Sequence, residues 1–183
     1  MKADTVRRQA GALLEELPGW ANTVIGDLLS GLHPLDERIA GDDHHIAAIV
    51  HEDARAQQLM RLRGVGPTTA TTIVAMIGSG HELRCGRQFS ARLGLTPGQY
   101  SSGGKTRLGR ITKAGDAYLR TLLILGARAV LAAAKNRADS VSRWATALEQ
   151  RRGCWKAVVA IAAKNARMAW AVLSRGESFK MPA

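Results

Sequence analysis

From Ile25 onward the apolar residues Leu28, Leu32, Leu35, Ile39, Ile46 and Ile49 fall at alternating steps of three and four, with only Asp42 interrupting. That is the heptad seam of a coiled coil, and it commits this stretch to long helical pairing rather than to a sheet. Pro34 and Gly41 weaken the pattern. The spacing therefore predicts a kinked or two-piece helical arm over residues 1–57, with a hairpin turn at Gly41-Asp42-Asp43 as one form of it. The rest of the chain agrees with a helical reading. Its hydrophobic content is 46% but aromatics are only 4%, so the apolar surface comes mainly from Ala, Leu, Ile and Val, which suits close helix packing better than strands. The expectation is an all-α protein: a coiled-coil helical arm, then a helical domain over residues 58–183, long enough at 183 residues in all to bury a core.

The run Leu62-Arg63-Gly64-Val65-Gly66-Pro67, followed by Thr68, Thr69 and Ala70, reads as helix, tight glycine turn, helix. Glycine permits backbone angles that other residues resist, and Pro67 suits a first helical turn. Over residues 59–78 this is the pattern of a helix-hairpin-helix, in which Gly64, Gly66 and Thr68 would face a phosphate at a helix N-terminus. A plain αα-hairpin using its glycines only for close packing reads the same way.

Charge is distributed unevenly. Residues 1–100 carry 10 Lys and Arg against 11 Asp and Glu, whereas residues 101–183 carry 16 against 4, so the net +11 sits in the second half. Localised basic charge of this size is the electrostatic footprint of a nucleic-acid partner, and a solvated basic face is the alternative. Residues 97–116 lack any helical hydrophobic period and concentrate glycine, hydroxyls and base, which predicts a long loop carrying Ser101, Ser102, Lys105, Arg107, Arg110 and Lys113. Gly103-Gly104-Lys105-Thr106 lacks the upstream glycine and preceding strand of a P-loop, which excludes a nucleotide-triphosphate site of that kind. The hydroxyls beside cations could set a serine oxygen against a phosphate, but an unaided serine is a poor nucleophile, so binding without catalysis is the reading the chemistry alone favours. Beyond the loop, Tyr118 to Ala134 and Trp155 to Leu173 are expected as core helices whose aromatics need no cofactor.

Other classes find little support. Cys85 and Cys154 are far apart and lack the spaced partners that zinc requires. Asp42-Asp43-His44-His45 are adjacent residues, which diverge by about 100° on a helix and read as a solvated turn rather than a metal site. With no secretory signal and no apolar run of about 18 residues, the expected location is cytoplasmic, with no membrane partner.

The run Gly86-Arg87-Gln88-Phe89-Ser90-Ala91-Arg92-Leu93-Gly94-Leu95-Thr96-Pro97, then Ser101-Ser102-Gly103-Gly104-Lys105, Leu108-Gly109-Arg110-Ile111-Thr112-Lys113, Gly115-Asp116 and Tyr118-Leu119-Arg120-Thr121-Leu122-Leu123, resembles the C-terminal transposase domain of insertion-sequence family 110, which includes the Piv-type DNA invertases. The resemblance continues through Gly126-Ala127-Arg128 and Ala163-Lys164-Asn165-Ala166-Arg167-Met168-Ala169-Trp170, and covers roughly residues 20–178. It implies DNA recombination by a two-part enzyme. An N-terminal RuvC-like domain with four acidic residues would bind magnesium, and a C-terminal domain would supply a serine, Ser102 by position, with Ser101 as the substitute. It implies DNA and a structured guide RNA as partners, with Arg120 joining the basic contacts, and a dimer or tetramer of the chain. The acidic half has no counterpart here, so no cofactor is expected in this chain and magnesium only with that other domain. The competing reading is an inactive remnant that dimerises, binds DNA or RNA, and modulates an intact transposase.

Overall fold

The computed structural model describes residues 17–176, together with residues 9, 10, 13 and 14. Its elements in chain order are α1 (Gly19–Glu52), α2 (Ala54–Met60), α3 (Pro67–Ile77), α4 (Gly86–Arg92), β1 (Pro97–Gln99), β2 (Leu108–Ile111), α5 (Ala117–Ala134), α6 (Ser140–Arg152) and α7 (Cys154–Arg175). The fold is all-α apart from one small antiparallel pair. The chain divides into two units, Met1–His45 and Ile46–Ala183.

The first unit holds most of α1, an unbroken helix of 34 residues, about 51 Å long at 1.5 Å per residue. It corrects the expectation of a two-piece arm: the helix runs on through Pro34 and through Gly41-Asp42-Asp43 without a turn. Proline removes one backbone donor, but the neighbouring turns hold the helix across the gap. The seam residues Leu28, Leu35 and Ile39 are 68%, 55% and 58% exposed. Asp42, Asp43, His44 and His45 lie consecutively on this helix, all exposed.

The second unit is a helical core. The last turns of α1 bury Val50, and Asp53 then breaks the helix by capping α2, its carboxylate accepting from the Arg55 amide at 2.8 Å. The two long helices foreseen in the sequence are there. α5 buries Leu119, Leu123, Ala127, Val130 and Leu131, and α7 buries Val158, Ile161, Ala162, Ala166 and Ala169. Both are long and apolar enough to cross a membrane by length and composition, contrary to the expectation that no run reaches that length. In this fold their apolar faces close on each other and on α4 and α6, and small Ala side chains let the helices approach. Trp155 corrects the view of α7's aromatics as core, being 68% exposed, whereas Trp170 donates its indole N–H to the Gly80 carbonyl at 3.0 Å.

The turn between α2 and α3 lies at the centre of this unit. Leu62 and Val65 are buried, and Gly64 stands with φ +78 against Gly126 of α5. A Cβ on Gly64 would stand 2.6 Å from the Gly126 carbonyl oxygen, and a Cβ on Gly126 would overlap the Gly64 carbonyl outright. Only two glycines let the turn and helix meet backbone to backbone. Between them Arg63 ties three elements together. Its carbonyl accepts from Asn165 of α7 at 2.8 Å, and its guanidinium donates to Asp139 at 2.6 Å and to the Ser142 hydroxyl at 3.0 Å. Asp139 is also the N-cap of α6, accepting from the amides of Val141 and Ser142. The Arg63 guanidinium first, and then the Ser142 hydroxyl, hold the Asp139 carboxyl well below the usual carboxylate range.

Replacing Gly126 by Ala should therefore cost about 2 kcal/mol or more through overpacking, a fall of roughly 4–8 °C in Tm for a chain of this size. Gly41→Ala on α1, where nothing stands within 4 Å of the new Cβ, should leave Tm unchanged or raise it. Thermal unfolding followed by circular dichroism reads both, and a tolerated Gly126→Ala would mean that the two backbones do not meet this closely.

Candidate functional site: a cationic hairpin

Residues 97–116, expected as an irregular loop, contain a β-hairpin instead. β1 and β2 pair antiparallel with Pro97 opposite Ile111 and Gln99 opposite Leu108, a register that leaves one extra residue on β2 as a bulge. The Tyr100 amide donates to the Arg107 carbonyl at 2.9 Å, and the ladder closes at Ser102 opposite Lys105. The two residues between them, Gly103 and Gly104, have φ of 59° and 74°. Positive φ at both central residues is a type I′ turn, whose twist matches that of paired strands. Gly-Gly flanked by residues that can pair was therefore a readable hairpin signal, missed because the strands are short, exposed and not apolar.

Ser101 and Ser102 differ in their surroundings. The Ser101 hydroxyl accepts from Gln99 Nε2 at 2.8 Å and from the Arg107 amide at 3.3 Å, so it is engaged within the hairpin. Ser102 sits exposed at the tip, where its carbonyl accepts from the Lys105 amide at 3.1 Å, and its hydroxyl has no hydrogen bond among the described residues. Lys105, Arg107, Arg110 and Lys113 are all exposed along the same hairpin. Lys113 is held at φ +55, an angle that costs a side-chain-bearing residue about 1–2 kcal/mol, and its amide donates to the Gly94 carbonyl at 3.1 Å.

Arg120 has a different surrounding from the four cations. It lies half-buried on the first turn of α5, with Nη1 donating to the carbonyls of Leu93, Ala114 and Asp116 at 3.1, 3.2 and 3.4 Å. It clamps both feet of the hairpin to the helix, while Asp116 caps that helix by accepting from the Leu119 amide. Of the glycine-turn residues, Gly64 is committed to the contact with Gly126, whereas Gly66 and Thr68 lie half-buried at the N-terminus of α3.

At the foot of the hairpin is a feature the sequence reading passed over. An open groove of about 950 Å³ runs between α4, the hairpin, α6 and α7. Trp144, Trp155, Arg87, Arg110, Lys156 and Arg167 line it, over a floor of Val159, Ala160 and Ala163. The Lys164 ammonium lies 4.5 Å from the Trp144 ring centre, and the Arg128 guanidinium 5.8 Å from that of Trp155. Arg87 and Arg167 were in plain sight in the sequence, but nothing in a linear pattern says that α4 and α7 lie side by side.

No group of three or more His, Cys, Asp or Glu able to hold a metal ion is found among the described residues. They do not fit a magnesium-binding quartet.

The model of the transposase IS116/IS110/IS902 family matches residues 56–143, which include the glycine turn, the whole hairpin and α5. A probable family 20 transposase of Pseudomonas aeruginosa is 46% identical over 164 residues, 90% of this chain and 48% of that protein. The chain belongs to this transposase family. The transposase for insertion sequence element IS1111A of Coxiella burnetii is 41% identical over 86% of this chain and 43% of its own length, and that for element IS1328 of Yersinia enterocolitica 33% over 83% and 47%. This family member thus spans between 43% and 48% of the length of these three relatives.

Proposed function

We propose that this chain is the strand-joining half of an insertion-sequence transposase, with the hairpin as its nucleic-acid face and Ser102 as the nucleophile. The observation that carries the reading is the tip itself. A serine hydroxyl without an internal partner among the described residues is presented on a tight turn beside Lys105, with Arg107, Arg110 and Lys113 exposed further down the same hairpin, while its neighbour Ser101 is held inside the hairpin. Four exposed cations on one short element suit a phosphate backbone, whose condensed counterions they displace. The same charges would offset the negative charge that grows on the phosphoryl oxygens during attack.

In the proposed step the Ser102 Oγ–phosphorus bond forms and one P–O ester bond of the same DNA phosphate breaks. The serine gives up a proton and the departing sugar oxygen takes one up. The phosphoserine link conserves the ester bond, so the reverse reaction with a different DNA end joins strands. No base is hydrogen-bonded to Ser102 among the described residues, and the proton acceptor is assigned to the portion of the relatives that this chain does not span, as is any magnesium. Gly66 and Thr68 at the head of α3 supply a secondary phosphate contact. Gly64 and Arg120 act as positioning residues, and a guide RNA is a second polyanion suited to the same face.

The decisive test mixes the chain with a nicked DNA substrate, guide RNA and magnesium, with and without the portion of the Pseudomonas relative that this chain does not span. A covalent protein–DNA adduct should form only with that portion added, survive in Ser101→Ala and vanish in Ser102→Ala. Adducts that persist in Ser102→Ala would remove the nucleophile. Salt-dependent binding with no adduct, where the intact relative forms one, would leave the chain as a binding remnant.

The exposed seam of α1 supports a homo-oligomer joined through paired arms, since Leu28, Leu35 and Ile39 otherwise face water. Sedimentation should show at least a dimer for the chain and a monomer for Leu28→Asp/Leu35→Asp. A monomeric wild type would exclude pairing through this helix.

A further inference from the structure

We propose that the groove at the foot of the hairpin is a seat for one unpaired nucleotide, its base stacked on Trp155 and its phosphates held by the cations along the rim. The proposal rests on the nucleic-acid reading above and adds a second contact, by base rather than by phosphate alone.

Three observations carry it. The first is the exposure of Trp155: an indole 68% exposed leaves a large apolar face to water in a chain with few aromatics, with the Arg128 guanidinium over its ring at 5.8 Å from the centroid. The second is shape. The floor is made of Val159, Ala160 and Ala163, small side chains on α7 that leave a low apolar shelf between Trp155 and the hairpin, with Trp144 on the wall. The volume of about 950 Å³ lies within the range of about 300–1,000 Å³ typical of sites that hold a small organic molecule. The third is charge. Arg87, Arg110, Lys156 and Arg167 line the groove and no carboxylate does, so it is complementary to an anion with a flat apolar part. A partner helix would satisfy the apolar floor but leave four cations facing it, which favours a nucleotide.

The nucleotide must be unpaired. Inside a duplex the base faces are stacked and cannot reach an indole, whereas a single strand offers every base for stacking regardless of sequence. β2 links the two contacts, with Arg110 and Ile111 at the groove and Lys105 at the tip beside Ser102. A strand cleaved at the tip would thus have a nucleotide a few positions along held at the foot, which keeps the freed end from drifting away.

The test compares the full chain with Trp155→Ala and Trp155→Phe, using fluorescein-labelled oligothymidine and an abasic strand of equal length and charge. Anisotropy at fixed salt should show the wild type binding oligothymidine at least ~5-fold more tightly than the abasic strand. Trp155→Ala should lose that preference while keeping its affinity for the abasic strand, and Trp155→Phe should retain most of it. Because Trp155 is a surface residue, equal melting temperatures confirm that all three proteins are folded. Equal binding of both strands by the wild type, or a preference that survives in Trp155→Ala, would overturn the seat and leave the groove to a protein segment. Failure of the wild type to bind either strand would instead overturn the nucleic-acid reading on which it rests.

Discussion

The second unit depends on a contact between two backbones that have no side chains in the way. Where Gly64 meets Gly126, the turn between α2 and α3 sinks into α5, and the carbonyl and guanidinium of Arg63 are then brought to α7 and to the head of α6. A buried turn leaves polar groups needing partners, and here Asn165, Asp139 and Ser142 supply them. Removing either glycine would separate the elements that those bonds join. The turn therefore organises the core whatever else its neighbourhood binds.

From that core the hairpin is held at its feet and free at its tip. Arg120 binds three carbonyls around the point where the chain enters α5, which holds the hairpin's feet without using any of its four exposed cations. The division of labour suits a phosphate-binding element, because a rigid mount costs little ordering entropy on binding while the charged tip stays accessible. Ser101 and Ser102 illustrate it at the scale of one residue: the first hydroxyl helps to build the hairpin, and the second is exposed at its tip with no hydrogen bond among the described residues.

Much of this was legible in the sequence. The heptad steps marked α1, the apolar periods marked α5 and α7, and the concentration of base after residue 100 pointed to the hairpin segment. The unbroken course of α1 through Pro34 and Gly41 was not legible, because a breaker's local cost says nothing of the helical turns on either side that absorb it. Gly64 could equally have served a phosphate or a neighbouring helix, and only the position of Gly126, 62 residues away, assigns it a packing contact. Arg120 likewise looked like one more cation until its carbonyl partners were placed around it. The groove was invisible for the same reason, since it is assembled from four elements that are separate in the chain.

Hydrogen–deuterium exchange of the chain with and without single-stranded DNA tests the central claim most directly, that the core is organised by the turn while the hairpin meets the nucleic acid. Amides of residues 62–65 should already be protected in the free chain and change little, whereas those of residues 99–113 should exchange quickly alone and slow markedly when DNA is added. Fast exchange at residues 62–65 that is suppressed by DNA, with the hairpin unaffected, would contradict the account and return the glycine turn to the role of phosphate site.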